Sequence, residues 1–191
     1  MSTLKVSNIQ DISNNAAMSI SSGVVTATSA IRAPGAVLQV KQGILTTSFS
    51  SSTSSTAFEN SPLNVIITPT STSSKILITG MINFSANQSQ HIALKVVKNG
   101  ADFLLNTESA GNRTKAHLIY FISPNTIYSL IPGNVNLLDS PNTTSALTYT
   151  LQVGTPYAAA YQVHLNRQGV DSDISHNGRT VSTLTAMEIG G

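Results

Sequence analysis

The densest run of residues able to do chemistry is Arg167 to Arg179, RQGVDSDISHNGR, where Asp171, Asp173 and Asn177 stand just before Gly178. Oxygen-bearing side chains at that spacing are what a calcium loop uses. The match fails in detail. With Asp171 as first ligand, the sixth position, which needs Gly, is His176, and the twelfth, which needs an acid, is Ser182. Arg167 and Arg179 would repel a cation and can neutralise the aspartates directly. The loop at 167–179 therefore reads as salt-bridged and hydrogen-bonded, without a metal.

Other chemistry is no better specified. A hydrolase needs a nucleophile, a base and an orienting group that converge. Serine is too abundant here for any one to carry information, and no GxSxG elbow occurs. His91, His117, His164 and His176 lie far apart with no short metal-ligand spacing. His117 and His164 are the two that a sheet could bring together. Carboxylates for glycoside cleavage would come from Asp102, Glu108, Asp139, Asp171, Asp173 or Glu188, and no pair among them is singled out. No catalytic residue, metal or cofactor is expected, and the chain reads as a non-enzyme.

What positions these residues is a succession of strands. In Leu138 to Val153, LDSPNTTSALTYTLQV, the Asp-Ser-Pro-Asn cluster makes a turn, and Leu147, Tyr149, Leu151 and Val153 then alternate with Thr148, Thr150 and Gln152. That period buries one face and wets the other. The same unit recurs. From Ala36, Leu38, Val40 and Ile44 face one way and Gln39 and Lys41 the other, around a bulge at Gly43. A Ser-rich loop precedes a strand from Leu63 to Thr68. Lys75 to Ser85 is the strongest strand after that at Leu147 to Val153 and should be central. Ile92, Leu94 and Val96 lead to Asn99-Gly100, the two-residue hairpin signal, and into Asp102 to Asn106. Leu118, Tyr120 and Ile122 mark a strand, then Ile127 to Ile131, then a turn at Pro132 to Asn134 into Val135 to Leu138. Tyr157 to Leu165 and Val181 to Ile189 complete the set. The last strand puts Thr183, Thr185, Met187 and Ile189 on one face and Leu184, Ala186 and Glu188 on the other.

Nowhere do about 10 residues show clean helical spacing. At 191 residues the chain fits one all-β domain with an appendage. The fold expected is an antiparallel β-sandwich of jelly-roll type over residues 35–191, preceded by an extended N-terminal arm at 1–34. The arm's apolar residues, Leu4, Val6, Ile9, Ile12, Met18 and Ile20, are too sparse to bury one another, though Ser22-Gly23 suggests a small hairpin. They are candidates for attachment to a partner that orders them.

Charged residues are only 9% of the chain, and cysteine is absent. A fold rich in β-branched residues and poor in charge invites edge-to-edge association unless neighbours cover the edges, so an oligomer is expected. The net charge of +2 comes from scattered Lys and Arg with no basic run, which argues against nucleic-acid binding. No segment approaches the roughly 20 apolar residues of a membrane helix and the start lacks a signal peptide's pattern, so no membrane insertion is expected.

Several segments resemble one group. MSTLKVSNIQD at the start, APGAVLQVKQG at 33–43, ITPTSTSSKILI at 67–78, LDSPNTTSALTYTLQV at 138–153, and NRQGVDSD with RTVSTLTAMEIGG near the end are similar to the small β-sandwich tail-fibre and virion structural proteins of bacteriophages, especially phages of cyanobacteria. The resemblance implies a homotrimer located in the virion and assembled in the host cytoplasm, with the arm docking to other virion proteins. Long shaft repeats are missing, which favours a short tail fibre, or an accessory head, neck or baseplate protein with no receptor role. Met187 and Ile189 are the expected trimer contacts, buried by the subunit's own core or by its neighbours. Loops carrying Asn87, Gln88, Asn112, Arg113 and Tyr157 are the expected receptor contacts, with host surface glycan as the partner. Glycan sites usually present aromatic rings, and Tyr157 and Tyr161 are the nearest in the loops.

Overall fold

The computed structural model describes residues 8–10, 16–22, 24–27, 34–52, 57–156 and 161–191. Leu4, Val6, Ile12 and Tyr157 lie outside them. Every regular element among the described residues is a strand: β1 (Asn8–Gln10), β2 (Ala16–Ser21), β3 (Val24–Ala27), β4 (Val37–Leu45), β5 (Phe49–Ser50), β6 (Glu59–Ile67), β7 (Lys75–Ala86), β8 (Gln90–Lys98), β9 (Ala101–Asp102), β10 (Leu118–Ile122), β11 (Ile131–Asp139), β12 (Leu147–Gly154), β13 (Val163–Leu165) and β14 (Ser182–Ile189).

The N-terminal strands form a meander in the order β1-β2-β3. Ser22, with φ 49°, makes the β2–β3 turn where the Ser-Gly signal lies. A third strand joins that hairpin, and the register pairs Ile9 with Met18, Met18 with Ala27 and Ile20 with Val25. Three of the six attachment candidates thus occupy paired positions in one small sheet.

The remaining strands form two antiparallel sheets. One runs β10-β8-β12-β6, with β9 also on β8; the other runs β4-β14-β7 with β11 on the far side of β7 and the short β13 and β5 continuing the inner rows. Alternation decides the inward faces. Leu147, Tyr149, Leu151 and Val153 of β12, Ile92, Leu94 and Val96 of β8, and Leu63, Val65 and Ile67 of β6 meet Ile76, Ile78, Ile82 and Phe84 of β7 and Leu184 and Ala186 of β14 in one sandwich-like core. Each such side chain contributes roughly 1.5–3 kcal/mol by leaving water. The centrality expected of Lys75 to Ser85 is observed, because β7 pairs with β14, β13 and β11. Asn99 (φ 50°) and Gly100 (φ 80°) supply the positive φ pair of a two-residue hairpin, as expected, although β9 extends only to Asp102.

The sheets curl together along one side. A Cβ built on Gly43 of β4 would overlap the carbonyl oxygen of Asn64 in β6, so the two backbones touch where only glycine fits. Gln39 Nε2 donates to the Thr68 carbonyl at 2.7 Å across the same closure. The bulge expected at Gly43 lies instead opposite Glu188–Ile189, where Val37 pairs with Ile189 and Gln39 with Glu188.

Two further expectations are corrected. Residues 124–129 are turns rather than a strand, closed by Thr126 N–H to the Ser123 carbonyl and Ser129 N–H to the Thr126 carbonyl, both 2.9 Å. Pro132 and Asn134 lie inside β11 rather than in a turn. Among the described residues β11 pairs only with β7, and an edge strand tolerates a residue with no N–H on its free side.

Two rows of the larger sheet are each made of two strands. β13 pairs with the end of β7 up to Leu165–Phe84, and β14 takes over at Thr183–Met81. Asn166, fully buried with φ 61°, fills the junction. Its N–H donates to the Asn83 carbonyl at 2.9 Å and its Nδ2 donates to the carbonyls of Leu45 at 2.7 Å and Thr47 at 2.9 Å. Ser182 Oγ donates to its Oδ1 at 2.6 Å.

Candidate functional site

The carboxylates meet different fates. Asp171 receives Arg179 through Nη1 at 2.5 Å and Nη2 at 2.9 Å, with Arg167 3.4 Å away. Bonding to Arg179 first, then the charge of Arg167, holds its pKa below the ordinary carboxylate value. Both oxygens are committed to guanidinium groups. Among the described residues no three His, Asp or Glu side chains gather where they could hold a metal ion.

Glu188 is fully buried at the inner end of β14. Gln39 Nε2 donates to it at 2.6 Å, the Thr70 N–H at 2.6 Å, and the hydroxyls of Thr70 and Ser74 at 2.7 Å each. Burial alone would push its pKa up, but these bonds outweigh it and hold the group at about 2. The carboxylate ties the 69–74 turn to β4 and β14. Asp139, on β11, instead joins the two sheets: Lys98 of β8 reaches it at 3.0 Å and Tyr149 of β12 donates its hydroxyl at 2.7 Å. Burial, then this bond and the carboxylate's charge, raise the Tyr149 pKa, so the phenol stays a donor. Lys95 pairs with Asp102 at 2.5 Å.

The histidines do not converge. His117 lies beside Phe103 and accepts the Val96 N–H at 3.0 Å; burial lowers its pKa, against the carbonyls of Phe103 and Leu104. His164 contacts Ser50 instead, with Nδ1 2.9 Å from Oγ. A serine beside a histidine invites a nucleophile reading. The other ring nitrogen, Nε2, faces Arg167 Nη2 at 3.4 Å, and a guanidinium can only donate. The proton therefore belongs on Nδ1, which donates to Ser50 and cannot take its proton. Burial, then Arg167, lowers the His164 pKa to about 4. The pair is wired as a structural contact.

The expected receptor residues separate into two groups. Asn87 is tied to Gln162, accepting its N–H at Oδ1 at 2.9 Å, so its carbonyl is spent on holding two loops together; Gln88 beside it is exposed. Asn112 and Arg113 are exposed in the 103–117 loop, where Arg113 helps line a pocket of about 170 Å³ with Asn106, Glu108 and Lys115.

The larger feature is the outer face of the six-stranded sheet. Register places Val40, Met187, Leu77 and Leu138 in one row across four strands. Next come Gln42, Thr185, Thr79 and Asn136, then Ile44, Thr183, Met81 and Asn134, while Val37 and Ile189 pair beside Lys75 at the end. Val37, Val40, Ile44, Met81 and Leu138 are 44–58% exposed. Met187 and Ile189 are half-buried within this face, not in the core, which β14 reaches through Leu184, Ala186 and Glu188. Val40 and Ile44 share a side as expected, but it is this outer one. Lys75 is the one charged residue in these rows. An exposed apolar row of this kind, Val40, Met187, Leu77 and Leu138 with Val37 and Ile189 beside it, marks an interaction surface more often than solvent-facing structure.

Sequence reasoning read Leu118, Tyr120 and Ile122 as a strand but did not single out its outward side. Ile119, Tyr120 and Phe121 are each about half exposed on this edge strand, and the Phe121 ring lies 4.9 Å from that of His91. Five apolar residues in succession, LIYFI, are the signal available: a strand apolar on both sides has an outward side to account for.

No protein-family model matches the chain, and no curated protein matches it.

Proposed function

We propose that the protein is a bacteriophage virion structural component, a short trimeric tail fibre that mounts on the particle by residues 1–34 and turns its jelly-roll sandwich toward the host surface. The observation that carries this reading is the sparsely charged outer face of the six-stranded sheet, with the uncharged Val40–Met187–Leu77–Leu138 row running across four of its strands. Nonpolar side chains spread over four strands gain from burial against another copy, and no like charges in the row oppose it. Met187 and Ile189 are trimer contacts in this arrangement. The resemblance of the segments at 33–43, 67–78 and 138–153 to phage fibre proteins supplies the virion setting. The paired positions of Ile9, Met18 and Ile20 support a small sheet that docks as a unit.

Immunogold labelling of intact particles of the virus that encodes the chain tests the setting. Label on fibres at the tail tip is expected, and unlabelled particles would overturn it. Label on the head, neck or baseplate would select an accessory structural protein instead. Light scattering tests the assembly, with three copies expected and a monodisperse monomer at micromolar concentration overturning it.

A further inference from the structure

We infer that the outer face of the smaller sheet carries a binding site for a neutral saccharide, built around Phe121 and His91. The inference rests on the host-facing reading above and names the ligand class for it. His91 of β8 and Phe121 of β10 are direct cross-strand partners. They point away from the core, because the alternating residues Ile92 and Ile122 are fully buried. Their rings and the adjoining Ser89 and Gln90 line a slot of about 350 Å³. That lies within the range of small-ligand sites, about 300–1,000 Å³.

The lining selects the occupant. A pyranose offers an apolar C–H face, which stacks on an aromatic ring, and an edge of hydroxyls that both donate and accept. Phe121, 52% exposed, supplies the ring. Ser89 and His91 supply polar partners, while Gln90, paired with the buried Ile122, turns its side chain to the core side of the sheet. No Asp, Glu, Lys or Arg lines the slot, so an acidic sugar finds no counter-charge there. The slot also lies on the opposite sheet from the Met187 face, so trimer contacts and sugar binding do not compete for the same surface.

Saturation-transfer NMR on the purified full chain tests this with the methyl glycosides of glucose, galactose, mannose and N-acetylglucosamine, and with sialic acid as the acidic probe. Transfer to the ring C–H protons of at least one neutral glycoside is expected. Phe121→Ala and His91→Ala should each weaken it about tenfold or more, the loss of a well-placed stacking partner. Phe121→Leu, which keeps the bulk but not the ring, should weaken it similarly at unchanged melting temperature. Lys115→Ala, at the separate pocket in the 103–117 loop, should leave it unaltered. No transfer to any neutral glycoside, transfer to sialic acid alone, or transfer that survives Phe121→Ala and Phe121→Leu would each overturn the site. Light scattering and particle labelling of the same protein read the virion assignment independently, so either proposal can fail without the other.

Discussion

Ser182 Oγ donates to Asn166 Oδ1 at 2.6 Å and accepts the Asn83 N–H at 2.9 Å, so one hydroxyl ties the start of β14 both to the residue that follows β13 and to β7. Where a row of a sheet changes from one strand to another, backbone groups lose their ladder partners, and buried ones must find others. Asn166 and Ser182 supply those partners from side chains.

Asn166→Ala should therefore destabilise the protein by roughly 3 kcal/mol or more, combining lost buried hydrogen bonds with the loss of asparagine's tolerance of the left-handed region. Asn166→Gly removes the same bonds but keeps the backbone conformation accessible. Urea denaturation should rank wild type above Gly and Gly above Ala. Equal midpoints for wild type and Asn166→Gly would show that the side chain does not hold the junction.

Gly43 is the second test of packing. Its α-carbon abuts the Asn64 carbonyl, so Gly43→Ala requires two backbones to part and should cost about 1–3 kcal/mol. Gly178→Ala is the matched control, because its nearest neighbour would be Leu130 Cδ1 at 3.9 Å, and it should shift stability by no more than about 0.5 kcal/mol. A similar loss for both in chemical denaturation would remove the case for closure at Gly43.

These two positions also show how far the sequence could be read. Alternation located β12 because polar and apolar residues there change with every step, whereas in β14 it only divides Leu184 and Ala186 from Met187 and Ile189, two sides that are both partly apolar. In β4 both faces carry apolar residues, and periodicity says which residues share a side without saying which side is inside. Val40 and Ile44 consequently lie outward. Pro132 resembled a turn because local chemistry does not reveal that a strand will be at an edge. Asn166 carries no local signature at all, since its role exists only once β4, β7 and β14 have come together. The Phe121 slot depended on the same long-range pairing, through β8 and β10.

Glu188 makes stability depend on pH with a defined sign. Its folded pKa of about 2 lies below the ordinary value of 4.5, so its stabilisation is fully present above the unfolded value and is lost as pH falls from about 4.5 to about 2. The fully buried group accounts for on the order of 3 kcal/mol at neutral pH. Asp171, also shifted down, acts in the same direction but is exposed and screened by solvent. Glu188→Gln should lower the melting temperature at pH 7 and flatten its decline between pH 5 and 2, by about those bounds. An unchanged decline in the variant would assign acid sensitivity elsewhere.

The outer row gives the sharpest division between folding and assembly. Met187 and Leu138 contribute to an exposed face, so Met187→Glu or Leu138→Lys should leave the subunit folded while placing charge where another copy packs. Light scattering should then find monomers at concentrations where wild type is trimeric, with far-ultraviolet circular dichroism unaltered. Ile189→Ala belongs to the same series: a half-buried side chain should cost less than about 2 kcal/mol within the subunit, below the usual loss for a core isoleucine. Its larger effect should appear on dilution, because melting of an assembled protein depends on concentration when folding and association are linked. Trimers that persist in both charge variants would mean that this face is not the contact, and the Met187 and Ile189 assignments would fall with it.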